Sequence, residues 1–65
     1  MTWDEIYTTI KSNNGMIDGA INWTWASFES EADATRAFNL IKDHVDHRGL
    51  YPAHNAEDTW AFRFR

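Results

Sequence analysis

The chain has 65 residues, with ten acidic and six basic side chains, no cysteine, and a formal charge of −4. A chain this short forms one small domain, residues 1–65, and without cysteine it has neither a disulfide nor a thiolate zinc site to add stability. The acidic balance argues against nucleic-acid binding through overall charge, and an aromatic-rich core or self-association remains to stabilise the fold.

The first segment predicts an amphipathic helix. Thr2 followed three residues later by Glu5 is a capping box, in which each side chain satisfies a free backbone N–H of the first turn. The apolar stripe behind it, at helical spacing, consists of Trp3, Ile6, Tyr7 and Ile10. The sequence NNG at 13–15 predicts the helix end, because Asn and Gly adopt the left-handed conformation.

The second segment predicts a short extended arm at Met16–Ile17, a turn at the Asp-Gly pair 18–19 and then one main strand, residues 20–28. Alternation assigns one face of this strand to Ile21, Trp23 and Trp25, and the other face to Asn22, Thr24 and Ala26. Phe28 breaks the alternation, and a bulge at 26–27 is expected to turn it inward.

The third segment predicts a helix over residues 30–48. Ser30 is the expected N-cap, and Gly49 the expected C-cap, with Arg48 near the negative end of the helix dipole. Its apolar stripe consists of Ala34, Ala37, Phe38, Ile41 and Val45. The small alanines allow this helix to approach a sheet closely.

The last segment predicts a hairpin. A short strand, residues 50–54, carries Pro52 and therefore belongs at a sheet edge. The sequence NAED at 55–58 is the turn. The closing strand alternates Trp60, Phe62 and Phe64 with polar residues.

These elements predict an α+β fold in the order α-β-α-β-β. The closing strand is the longest and most aromatic, so we expect it at the centre of a three-stranded sheet, with both helices on one face. The topology resembles half of a ferredoxin-like sheet. In this arrangement Trp23, Trp25 and Trp60 are core residues, and apolar surface that two short helices leave uncovered is expected to be buried by a second subunit.

No constellation of side chains predicts catalysis. The three histidines, His44, His47 and His54, have no cysteine or dense carboxylate cluster beside them, whereas a metal site needs three or four ligands. The polar turn at 55–58 lacks the pocket that acid–base catalysis requires. We therefore expect no enzyme activity, no cofactor and no metal.

The face opposite the predicted core supplies the candidate binding residues, namely Asn22, Thr24, Arg63 and Arg65. Arginines between polar side chains on an open sheet can bind phosphate or carboxylate groups. No aromatic residue is expected beside them for base stacking, and their alternative role is a solvated surface that pairs with nearby acids.

The functional hypothesis is a small non-enzymatic protein that regulates by binding another protein or a second copy of itself. Inhibitors and the proteins that phages make against host machinery are analogous small domains. The alternative is a nucleic-acid-binding domain that uses the face of Arg63 and Arg65. No segment is long and apolar enough to span a membrane, and without a signal peptide we expect the protein in the cytoplasm.

A homodimer is the expected assembly. The strand over 20–28 is predicted to be an unprotected sheet edge, and two copies joined there would form a six-stranded sheet. The alternative contact is the first helix, through Trp3 and Tyr7.

Overall fold

A computed structural model of the chain describes residues 1–65, apart from the side chain of Ala20. The elements are α1 (Trp3–Ser12), β1 (Met16–Ala20), β2 (Trp23–Phe28), α2 (Glu31–Ile41), a 3-10 turn (Lys42–His44), β3 (Ala53–His54) and β4 (Trp60–Phe64). The strands form one antiparallel sheet in the order β1-β2-β4-β3. The predicted α+β class is confirmed, as is the position of the closing strand between its two predicted neighbours, but the sheet has four strands instead of three.

The additional strand, β1, combines the predicted short arm at Met16–Ile17 with residues that were predicted to form a turn. The Asp-Gly pair 18–19 lies inside the ladder, with Asp18 opposite Trp25 and Gly19 opposite Thr24. The chain reverses instead at 21–22, where Asn22 has a φ of 73°. Asn tolerates this left-handed conformation, which a tight reversal requires. Strand β2 is therefore an interior strand. The predicted dimer required β2 at the edge of the sheet, and β1 occupies that position.

Both helices begin at the predicted caps. The Glu5 N–H donates to the Thr2 hydroxyl over 3.2 Å, and the Thr2 N–H donates to the Glu5 carboxylate over 3.1 Å, which is the predicted capping box. The Asp33 N–H donates to the Ser30 hydroxyl over 3.4 Å. Helix α1 ends before Asn14, which has a φ of 65° in agreement with the predicted stop.

Helix α2 ends earlier than the sequence predicted. The α-helical part stops at Ile41, and Val45 is already extended, with φ −142° and ψ 159°. Gly49 has a φ of 82° in the following loop and does not cap the helix. Residues 46–47 instead run beside the end of β4, where Asp46 and Arg65 exchange two backbone hydrogen bonds of 2.9 Å. Because α2 ends at Ile41 and His47 pairs with Phe64, Arg48 lies beside the sheet and not on the helix.

The final hairpin matches its prediction in outline. The first strand is only two residues long, and Leu50 and Tyr51, predicted within it, are exposed loop residues. The turn is held by the Asn55 side-chain oxygen, which accepts hydrogen bonds from the backbone N–H groups of Glu57 and Thr59.

One face of the sheet carries the core, and both helices pack on that face as predicted. The buried cluster consists of Ile6, Ile10, Ala26, Phe28, Ala34, Ala37, Phe38, Ile41, Phe62 and Phe64. Trp60 and Val45 pack against it partly buried, so the prediction of Trp60 as a mainly core residue is confirmed. Both described helices contribute to this core, so neither covers the opposite face of the sheet, called the outer face below.

Candidate binding surface

The two tryptophans of β2 lie on the outer face, and their prediction as core residues is wrong. Directly opposed residues of neighbouring strands share a face, and Ala26 is opposite the core residue Phe62. Trp25 therefore points away from the core, opposite Arg63, and it is 38% exposed. The register runs without interruption from Thr24 to Phe28, so the predicted bulge is absent and Phe28 faces inward in ordinary alternation.

The size of the indoles accounts for this choice of face. Helix α2 contacts β2 and β4, and its buried residues Ala34, Ala37, Phe38 and Ile41 join a core cluster of phenyl and alkyl side chains. Ala26, buried completely, is the residue of β2 that allows this close approach. An indole at that position would force the helix away from the sheet.

The outer-face cluster consists of Trp23, Trp25, Arg48, Arg63 and Arg65. The guanidinium carbon of Arg65 lies 4.4 Å from the centroid of the Trp23 ring, and that of Arg63 lies 5.3 Å from it. Arg63 also lies 5.6 Å from the Trp25 ring. These are cation–π distances, at which the negative face of the indole attracts the cation.

Arg48 completes the cluster from outside the ladder. Its guanidinium carbon lies 5.6 Å from the centroid of the Trp23 ring. The backbone of the preceding residues is held against the end of β4, because His47 forms a bridge with Phe64. The His47 ring packs edge-on against Phe38 at 5.0 Å on the core side, so Arg48, the next residue along an extended segment, projects to the outer face.

The cluster carries more positive than negative charge. Among the described side chains, the carboxylate that lies within 4.0 Å of the cluster is that of Asp46, 3.9 Å from the Arg65 Nε. Among the described side chains, no carboxylate oxygen lies within 4.0 Å of Arg48 or Arg63. Half of the six basic residues of an acidic chain are thus gathered around one indole.

Arg63 and Arg65, two of the four predicted binding residues, are together on the outer face. Thr24 is opposite the buried Phe64 and therefore faces the core side, half-buried. Asn22 is exposed in the reversal between β1 and β2. The expectation that all four share one face is wrong, because it assumed the opposite alternation of β2.

Sequence reasoning missed three members of the cluster, namely Trp23, Trp25 and Arg48. The signal for the tryptophans was Phe28, which shares its alternation with Ala26 and Thr24, so a regular strand that buries Phe28 must expose both indoles. Arg48 had no comparable signal, since its position depends on where α2 ends.

Two open grooves flank Trp25. One contains Met16, Asp18 and Glu57, and the other contains Arg48, Tyr51 and Arg63. Met16 is 73% and Tyr51 76% exposed, so the arginines have apolar and aromatic neighbours on an accessible surface. Asp18 and Glu57 line the first groove, whereas Arg48 and Arg63 line the second.

The histidines make separate local contacts. The His54 Nε2 lies 2.9 Å from the Asp58 carboxylate and its ring packs on Trp60, whereas the His47 Nδ1 lies 3.1 Å from the Gly49 carbonyl oxygen. Within the described part of the chain, no three side chains of His, Cys, Asp or Glu are grouped to hold a metal ion.

The fold and the cluster define a small α+β protein with two helices on one face of a four-stranded sheet and an arginine-tryptophan surface on the other. Comparisons with protein-family models, curated proteins and solved structures find no match to this chain. None of the described helices has the length and apolar character needed to cross a membrane.

Proposed function

We propose that the chain is a non-enzymatic, regulatory binding protein, and that the outer-face cluster is its contact surface for another protein. The observation that carries this proposal is the placement of Trp23 and Trp25. In a chain that gains little stability from its small core, two of the largest apolar side chains lie outside that core.

The composition of the surface supports a protein partner. Tryptophan, tyrosine, methionine and arginine are the residues enriched at protein interfaces, and tryptophan, tyrosine and arginine contribute most of the binding energy there. All four types occur at the outer face or its grooves. The cations of the cluster are arginines, and both lysines, Lys11 and Lys42, lie in the helical elements.

Single-stranded nucleic acid is the second candidate ligand. An open sheet face that combines exposed aromatic rings with arginines is a known arrangement for stacking bases and binding the backbone. The outer face has both components, with Trp25 as the accessible ring. The chain's formal charge of −4 opposes this candidate, because nucleic-acid affinity depends on phosphate neutralisation.

Capture from an extract of the cells that make the protein tests the proposal. The immobilised chain is compared with the outer-face variant Trp25→Ser/Arg63→Gln and with Leu40→Ser, which removes a half-exposed apolar side chain of α2. We expect the parent and Leu40→Ser to retain the same protein, and the outer-face variant to lose it.

Two results would count against the proposal. If the outer-face variant retained the same proteins as the parent, the contact surface would lie elsewhere. If nuclease treatment of the extract abolished capture, nucleic acid would be the ligand.

A further inference from the structure

We infer that the partner presents a carboxylate, from an acidic segment of a protein, and that this group binds among Arg48, Arg63 and Arg65 above the Trp23 ring. The inference rests on the proposed function and specifies the chemistry of the partner. It depends on the geometry and charge of the cluster, which differ from those of a simple solvated surface.

The three guanidinium groups converge on one ring. All three carbon centres lie within 5.6 Å of the Trp23 centroid, although Arg48 is in a loop, Arg63 is in β4 and Arg65 directly follows β4. Like charges gathered in this way repel one another, and the indole offsets only part of that repulsion. An anion among them would remove the remaining cost.

The cluster also has free hydrogen-bonding capacity. A guanidinium group has five N–H donors and binds a carboxylate through two parallel bonds. Among the described groups, the guanidinium groups of Arg48 and Arg63 donate no hydrogen bond to a side chain or a carbonyl oxygen; the arginine side chain that does so is that of Arg36. Of the described side-chain carboxylates, Asp46 alone lies within 4.0 Å of the cluster, and its distance of 3.9 Å from the Arg65 Nε is beyond ordinary hydrogen-bond length.

The surroundings favour a single acidic segment over a polyanion. Asp18 is opposite Trp25 on β1, and Asp18 and Glu57 line the groove on the side away from the arginines. A nucleic acid that crossed Trp25 would bring its phosphates towards these acids, and like charges repel. A protein segment can place its carboxylate on the cluster and an apolar side chain on Trp25.

Binding of defined probes tests the inference. The probes are a synthetic peptide of alternating glutamate and leucine residues, the same peptide with glutamine in place of glutamate, and short oligothymidylate. The readouts are the dissociation constant and the NMR shift of the indole N–H of Trp23. We expect the glutamate peptide to shift that resonance and to bind at least about tenfold more tightly than the glutamine peptide, because charge-assisted bonds are lost with glutamine.

The matched variants are Arg63→Gln and Arg36→Gln. Both remove one positive charge, but Arg36 pairs with Asp33 on α2, away from the cluster. We expect Arg63→Gln to weaken the glutamate peptide about tenfold and Arg36→Gln to leave its affinity unchanged.

Four outcomes would overturn the inference. Equal affinity for the two peptides, or equal effects of the two variants, would show that the arginines are not a carboxylate site. Tighter binding of oligothymidylate than of the glutamate peptide would assign the surface to nucleic acid. If no probe bound while capture from the extract still depended on Trp25 and Arg63, the partner chemistry would be wrong and the proposed function would stand.

Discussion

Gly15 is the residue at which the path between α1 and β1 leaves no room for a side chain. A Cβ there would lie 2.5 Å from the Ile10 Cγ2 and 2.6 Å from the Phe28 Cε2. Both neighbours are fully buried core residues and cannot move without displacing others.

We therefore expect Gly15→Ala to lower the free energy of unfolding by about 1–3 kcal/mol, the usual cost of overpacking. Gly19→Ala is the control, because a Cβ at Gly19 has no atom within 4 Å. Urea denaturation measures both variants. Equal stability of the two would mean that Gly15 does not lie against the core as described.

Arg65 and Trp23 show what a single exposed pair contributes. A cation–π contact at an exposed site contributes about 0.5–1 kcal/mol to stability. Truncation of a buried phenyl ring costs much more, about 3–5 kcal/mol. The outer-face cluster is consequently a minor source of stability, and its residues are free to serve binding.

At the scale of elements, the carboxylates of the first helical turns couple folding to pH. The pKa of Glu5 is lowered by the hydrogen bond from the Thr2 backbone N–H and by the Thr2 side chain. The pKa of Asp33 is lowered by the hydrogen bond from Arg36, then by that from Asn14. Asp33 thereby joins the start of α2 to the turn after α1.

A lowered pKa in the folded state gives stability that is complete above the pKa of the unfolded chain. It is lost as the pH falls through the lower folded value. We expect the melting temperature to decrease when the pH is lowered below about 4, because the carboxylates of the unfolded chain take up protons there. Glu5→Gln/Asp33→Asn should be less stable than the parent at neutral pH and converge with it in acid. A constant difference at all pH values would contradict this coupling.

The elements that were correctly predicted have strong local signals. The Thr2 and Ser30 caps and the turn at 55–58 depend on side chains that bond their own neighbouring backbone, and the stop at Asn14 depends on its local left-handed backbone conformation. Such interactions are encoded within a few residues of sequence and need no tertiary information.

Strand β2 shows where local signals fail. Its sequence offers two alternations, one that buries Trp23 and Trp25 and one that buries Ala26 and Phe28. The more apolar set was predicted to be the core, but the buried set is that of Ala26 and Phe28, in a cluster that includes the alanines of α2. A shift of one position moves every side chain to the other face. This one error therefore also placed Thr24 on the wrong face and left Trp23 and Trp25 out of the predicted binding surface.

At the scale of the whole molecule, the two faces of the sheet have separate uses. The helix side holds the core and also exposes Trp3, which is 50% accessible and packs near Tyr7 with ring centroids 6.1 Å apart. The predicted self-association through α1 is therefore compatible with the fold, and it would leave the outer face accessible to a partner.

We expect the parent to dimerise through α1 and Trp3→Ser to shift it towards monomer. Sedimentation over a wide concentration range measures this, and high salt should not dissociate the dimer, because the contact is apolar. Tyr51→Ser, which alters an exposed aromatic residue beside the outer-face groove, is the control. A parent that stays monomeric at high concentration would refute the prediction.

The placement of both indoles outside the core is tested most directly by the stability of Trp23→Ser/Trp25→Ser. We expect this variant to unfold cooperatively, with a free energy of unfolding lowered by about 1–2 kcal/mol through lost cation–π contacts. Phe28 belongs to the set of β2 residues that faces the core. Phe28→Ala should therefore lower the free energy of unfolding by about 3–5 kcal/mol. If the double tryptophan variant failed to fold, or lost as much stability as Phe28→Ala, the indoles would belong to the core and the outer-face binding surface would not exist.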